Sequence, residues 1–196
     1  MVNVADVLSG LRLLMAPVLL YLAWIGERRL FLLFFACSLL SDFIDGFIAR
    51  KLNQVSDRGA KLDSWGDFAT YMTVPICAWW LWPDLIRQEA PFVVAVVVSY
   101  GVPVAVGFIK YGRLTSYHTW GAKVTAVLIG GSAFLLLAGG PAWPFRLSVI
   151  ALAIAEFEEI AITAILPTWR SNVPSLWQAR RLTRQSAPSN YGSIED

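Results

Sequence analysis

Apolar runs close to the roughly 20 residues that a membrane-crossing helix needs alternate along the chain with short polar or Gly/Pro-bearing breaks. The pattern predicts six spans, near residues 10–26, 30–50, 61–83, 91–109, 120–139 and 145–167. The breaks are Gly26-Glu27-Arg28-Arg29, the loop Lys51 to Ala60, Pro83 to Pro91, Tyr111 to Thr119 and Gly139 to Trp143. Residues Met1 to Ser9 mix Val2, Val4, Val7 and Leu8 with Asn3, Asp6 and Ser9, which suits a short helix at the interface better than a span. With no basic region or small-residue cleavage site before it, the first apolar run is expected to stay in the bilayer rather than be removed as a signal. The fold expected is all-α: a polytopic membrane helix bundle of about six transmembrane helices with a short N-terminal interfacial helix. One membrane domain covers 1–170, and 171–196 forms a polar, basic, partly disordered cytoplasmic tail. No internal repeat or low-complexity tract interrupts it.

Composition agrees with this pattern, since 57% of residues are hydrophobic and only 15% are charged. The net charge of +2 is spread over loop ends instead of one polar face, so nucleic acid is not an expected partner. Cys37 and Cys77 sit inside apolar runs, where free cysteines act as small hydrophobes. A single histidine, His118, without a His/Cys cluster argues against zinc. The Lys/Arg bias sets orientation. With the N-terminus inside, Arg12, Arg50, Lys51, Arg58, Lys61, Lys110, Arg113, Lys123, Arg170, Arg180, Arg181 and Arg184 are cytoplasmic, and only Arg28, Arg29, Arg87 and Arg146 are opposite. Both termini are then cytoplasmic.

One stretch resists this account. Between Ser41 and Asp67, four acids (Asp42, Asp45, Asp63 and Asp67) lie within or at the ends of apolar segments. An acid at the centre of a membrane helix costs about 2.5–3.5 kcal/mol, so such residues mark a functional site by default. Asp42 and Asp45 are three positions apart and Asp63 and Asp67 four, so each pair shares a helical face, and two such faces can share cations. Carboxylates with no histidine or thiolate suit Mg²⁺ or Mn²⁺. Salt bridges to Arg50, Arg58 and Lys61 are the competing explanation, but they give no reason for small residues at fixed offsets from the acids.

The spacing Asp42-x2-Asp45-Gly46-x2-Ala49-Arg50-x8-Gly59-x3-Asp63-x3-Asp67 resembles the signature of the CDP-alcohol phosphatidyltransferases, membrane enzymes of phospholipid synthesis. A looser likeness lies at Asn3, Ser9 and Arg12, without the proline that usually follows the asparagine. The resemblance implies transfer of the phosphatidyl group from CDP-diacylglycerol to the hydroxyl of a small alcohol, with release of CMP and with two Mg²⁺ or Mn²⁺ ions. It implies Asp42, Asp45 and Asp63 as metal ligands, with Asp67 as both ligand and general base. Gly46, Ala49 and Gly59 then make room for the nucleotide, and Arg50 meets the diphosphate or a ligand carboxylate. It also implies a homodimer, membrane lipid as a partner and, for a bacterium, the inner membrane.

Lys123 falls where related enzymes place a base near the acceptor, although snorkelling to the interface explains it equally well. Glu156, Glu158 and Glu159 resemble a stretch of the family and otherwise read as a water-facing or dimer-facing patch. The acceptor signals conflict: Ser64 and Phe68 resemble serine- and inositol-using relatives, while Thr115-Ser116 and Gly121-x-Lys123 resemble those using glycerol phosphate. The alternative from another class is a cation-coupled transporter, for which broken helices or repeated halves would be expected; neither is visible.

Overall fold

Each apolar run folds as a helix, and glycines and prolines set where the helices stop. The computed structural model of the protein describes residues 4–51, 57–112, 119–169 and 173–186, with side chains over 13–41, 65–66, 68–112, 119–169 and 173–183. Among the described residues there are eight helices and no strand. The long ones are α1 (Val4–Trp24), α2 (Arg28–Lys51), α3 (Asp57–Leu81), α5 (Ala90–Tyr111), α6 (Trp120–Leu137) and α7 (Trp143–Ile165), with α4 (Pro83–Gln88) and α8 (Leu176–Ser186) as short additions.

At the end of α1, Gly26 adopts φ 79°. Its N–H donates to Ala23 O at 3.1 Å and the next N–H, of Glu27, donates to Leu22 O at 3.0 Å, a pair that closes the last turn and favours a residue without Cβ. The end of α6 repeats the device, with Gly139 at φ 91°, its N–H on Leu136 O at 3.1 Å and that of Gly140 on Leu135 O at 2.8 Å. Prolines open α4, α5 and α7, where a missing N–H costs nothing. Thr119 caps α6 by accepting from Ala122 N at 3.0 Å.

All six predicted segments coincide with a long helix. Three details differ. The N-terminal helix is not a separate interfacial element, because α1 runs unbroken from Val4 to Trp24. The stretch from Asp57 to Ala60, read as loop, is already the first turn of α3. Two regions read as connection and tail contain α4 and α8.

Two cores hold the bundle. In the first, Leu19 and Leu22 of α1 pack with Phe31 and Phe35 of α2, Cys77 and Leu81 of α3, Ile86 of α4 and Leu137 of α6. The second joins Val96 of α5 to Ile129 and Leu136 of α6 and to Phe145, Val149 and Leu152 of α7. A smaller cluster of Ile162, Leu166, Val173 and Ala179 seats α8 against the end of α7.

Polar ties join α5 and α7 at both ends. At one end Glu89, buried, accepts from Arg146 Nη2 at 2.6 Å and Nε at 2.9 Å. At the other, Lys110 Nζ donates to Thr163 O at 2.7 Å and Ala164 O at 3.0 Å, and the Tyr111 hydroxyl lies 3.0 Å from Thr163 O and 2.7 Å from Leu166 O. These donors serve carbonyls that the end of α7 leaves without helical partners. The two helices therefore run in the same direction. From Glu89 to Lys110 the helical rise is ~30 Å at ~1.5 Å per residue, the thickness of a bilayer's hydrocarbon core.

The outside of the bundle is apolar. Tyr21, Leu33, Trp80, Val98, Leu128 and Ile154, one from each long helix, are all exposed, as are many neighbours, an arrangement that water would not tolerate over so large an area. Among the described residues, α5 and α6 are long and apolar enough to cross a membrane, while Leu13–Trp24 and Phe68–Leu81 are apolar but shorter. Helix α7 carries Arg146, Glu156, Glu158 and Glu159, which lower its hydropathy.

The Glu89 tie has a pH dependence of definite sign. Hydrogen bonds from Arg146 hold the carboxyl below its ordinary 4.5, against the upward push of burial and with help from the guanidinium charge. A depressed folded-state value gives stability that is complete above the ordinary value and is lost as pH falls through the lower one. The Tm of detergent-solubilised protein should drop as pH is taken below about 4.5, and less steeply for Glu89→Gln; parallel curves would show that the tie does not contribute.

Candidate active site

The motif is divided between two helices that flank one cavity. Asp42, Asp45, Gly46, Ala49 and Arg50 lie on α2 and Gly59, Asp63 and Asp67 on α3; their side chains, and residues 52–56 between the helices, lie outside the described residues. The adjoining parts of α2 and α3 are described. Phe35 and Ser38 of α2 and Thr70, Tyr71, Val74 and Ala78 of α3 line a cavity of about 120 Å³, together with Val93, Val96, Ile129 and Gly130.

Register ties this cavity to the motif. Positions 35, 38, 42 and 45 follow one stripe of α2, and positions 63, 67, 70, 74 and 78 one stripe of α3. The stripes that line the cavity thus become, about one turn further on, the stripes that carry the aspartates. The lining is mainly apolar, with Ser38, Thr70 and Tyr71 at the end nearest the motif. Thr70 donates back to Gly66 O at 2.9 Å. Beside it Tyr71 stacks on Tyr100 of α5, with ring centroids 4.4 Å apart, and Phe68 lies 6.1 Å from Trp65 and 6.4 Å from Tyr100. This aromatic wall was not anticipated from sequence. The offset of four between Asp67 and Tyr71 was the available clue, but Tyr100 reaches the wall only through the packing of α5 on α3.

The donor set fits hard divalent cations: four carboxylates from two helices, with no histidine or cysteine among them. No cluster of three potential metal ligands occurs among the described residues.

Bases near the end of α5 and the start of α6 have different surroundings. Lys110 is engaged on the carbonyls at the end of α7. Lys123 is exposed on the first turn of α6, with Nζ 5.7 Å from the centroid of the Trp120 ring, and Arg113 lies outside the described residues. The acids of α7 part company. Glu156 is buried at 8% exposure, so it is not water-facing. Glu158 accepts from Leu176 N at 3.0 Å, the first N–H of α8, while Trp120 N lies 3.4 Å from Pro174 O. At Gly121 a side chain would meet Ala155 Cβ at 3.4 Å and Glu158 Oε2 at 3.6 Å, so α6 and α7 approach closely where α8 is seated.

With the fold and the site in view, comparison places the chain. Residues 2–165 match the profile of the CDP-alcohol phosphatidyltransferases, and the chain belongs to that family. It is similar to the CDP-diacylglycerol-serine O-phosphatidyltransferase of Bacillus subtilis (strain 168), with 49% identity over 43 residues, 22% of this chain and 24% of the relative. It is also similar to the CDP-diacylglycerol-glycerol-3-phosphate 3-phosphatidyltransferase of Aquifex aeolicus (strain VF5), with 44% identity over 66 residues, 33% of this chain and 36% of the relative. These matches span about a quarter to a third of the curated relatives' lengths. No solved structure matches the chain.

Glu158 supplies a measurable link between α7 and α8. Loss of an N-terminal acceptor costs a helix about 1 kcal/mol, a factor of about five in an opening equilibrium. Glu158→Ala should speed amide exchange in residues 176–186 by about that factor, and Glu158→Gln, which keeps an acceptor oxygen, should speed it less. Equal exchange in all three proteins would remove Glu158 from this role.

Proposed function

We propose that the protein transfers a phosphatidyl group from CDP-diacylglycerol to the hydroxyl of a small alcohol, releasing CMP. The observation that carries this reading is the complete spacing from Asp42 to Asp67 on two helices flanking one apolar cavity, in a chain of this family. In this reading Asp42, Asp45, Asp63 and Asp67 would hold two Mg²⁺ or Mn²⁺ ions, which would supply positive charge to offset that of the diphosphate. Asp67 takes the proton of the acceptor hydroxyl. The freed oxygen forms a bond to the phosphorus carrying diacylglycerol, and the bond from that phosphorus to the bridging oxygen breaks, so that its electron pair leaves with CMP. Gly46, Ala49 and Gly59 let the nucleotide approach the backbone, and Arg50 meets the diphosphate.

Six long helices with apolar outer faces support a six-span bundle. The uneven distribution of Lys and Arg supports cytoplasmic termini and a site at the cytoplasmic edge of α2 and α3. A water-soluble nucleotide can reach that edge while lipid chains stay in the bilayer.

Purified protein given CDP-diacylglycerol and a panel of alcohols should release CMP with one of them. That activity should vanish in excess chelator and in Asp42→Asn, Asp45→Asn and Asp63→Asn. Full turnover in chelator would end the metal-dependent reading, and absence of CMP with every alcohol would end the transferase reading.

The acceptor's charge is readable at Lys123. A phosphorylated acceptor brings negative charge to a site already rich in carboxylates and phosphates, and Lys110 is committed elsewhere. Removing one charged hydrogen bond costs about 1.5–3 kcal/mol, roughly a ten- to hundredfold rise in KM if binding weakens uniformly. For glycerol 3-phosphate or an inositol phosphate, Lys123→Ala should raise the acceptor KM and leave that for CDP-diacylglycerol nearly unchanged. An unaltered acceptor KM would favour serine or an uncharged alcohol.

A further inference from the structure

Helix α8 has one face inside the protein and another that nothing in the proposed chemistry uses. Ala179 is fully buried, and Leu176, Leu182 and Thr183 are partly so. At 100° per residue, Trp177, Arg180, Arg181 and Arg184 share an arc of about 100° on the opposite side. Trp177, Arg180 and Arg181 are exposed, and the Arg181 guanidinium stacks 3.7 Å from the centroid of the Trp177 ring. The tail's acids, Glu195 and Asp196, come after the helix has ended.

The level of α8 along the bundle is set by its attachments. Its first N–H is held by Glu158 of α7, and the strand of chain before it meets Trp120 at the start of α6. Val173 and Ala179 complete the seat against Ile162 and Leu166 at the end of α7. Helix α8 therefore lies where α6 begins and α7 ends, at the same end of the bundle as Lys110. With the long helices in a bilayer, the exposed Arg180 and Arg181 would lie near the leaflet surface, where juxtamembrane bases are attracted to anionic headgroups, and tryptophan is the residue that settles at the boundary between headgroups and chains.

We propose that α8 docks on the bilayer surface as an anionic-lipid sensor, with Arg180, Arg181 and Arg184 engaging acidic phospholipid headgroups and Trp177 anchoring the helix among them. Because α8 is pinned to α6 and α7, the charge of the surrounding lipid then determines how firmly the inner ends of those helices are held. The inference rests on the long helices being spans and does not depend on which alcohol is the acceptor.

The test is amide exchange of residues 176–186 in the full-length protein, in nanodiscs of phosphatidylcholine alone or with about a third phosphatidylglycerol. Each arginine near an anionic surface is worth about fivefold in binding, so three should slow exchange roughly tenfold or more in the anionic discs. The slowing should disappear at about 1 M salt and in Arg180→Gln/Arg181→Gln/Arg184→Gln. It should persist in the matching triple Lys variant, which keeps the charge. Exchange indifferent to lipid charge in the native protein, or slowing that survives high salt, would overturn the proposal even if the triple Gln variant does not fold. CMP release measured in the same discs separates the two readings, since loss of that activity alone touches the catalytic assignment and not the docking of α8.

Discussion

The arrangement depends on a requirement of helix ends: carbonyls without a helical partner must find a donor, and hydrocarbon supplies none. At the end of α7 the donors come from another helix, as Lys110 and Tyr111 reach across from α5. Together with the Glu89–Arg146 pair at the opposite end, they fix α7 along α5 in register as well as in distance. The seat of α8, the close approach of α6 to Ala155 at Gly121 and the position of Glu158 all follow from where α7 is held. A shift of α7 by one turn would separate all of these contacts together.

The same requirement explains which polar residues are available for chemistry. Lys110 counts in the sequence only as one of the cytoplasmic bases, yet its charge is spent on carbonyl oxygens. Glu158 reads as part of an acidic patch, yet it completes the first turn of α8. Glu156 is enclosed. The aspartate-bearing stripes of α2 and α3 lie at the same end, with an apolar cavity continuing behind them. An apolar volume adjoining a polar motif suits a substrate that is itself polar at one end and hydrocarbon at the other.

Much of this was legible in the chain. The long helices were readable because each coincides with a long apolar run, and the six runs are separated by glycine, proline or charge; Gly26 and Gly139 stop helices as their sequence context suggests. The motif was readable because its offsets are local to each helix, so spacing alone places Asp42 with Asp45 and Asp63 with Asp67. What escaped reading depends on contact between distant parts. Tyr71 and Tyr100 are 29 positions apart and meet only because α5 lies beside α3. Lys110 finds its acceptors 53 and 54 positions away. Helix α8 escaped for another reason: it is short and rich in arginine, so its composition resembles a solvated tail until Ala179 is seen to be buried.

The turns at Gly26 and at Gly139-Gly140 have a further meaning. Both lie at the end of the bundle where α1 and α6 finish, and α4 with Glu89 forms the connection between α3 and α5 at that end too, so each link there is brief and fastened down. The last turns of α2, α5 and α7 and the first turns of α3, α6 and α8 gather at the opposite end. In the proposed orientation, the motif-bearing ends of α2 and α3 would open to only one compartment. Substrates made in the cytoplasm would arrive there and the spent nucleotide would return there, so the cell could renew its lipids without leaking nucleotide across its permeability barrier.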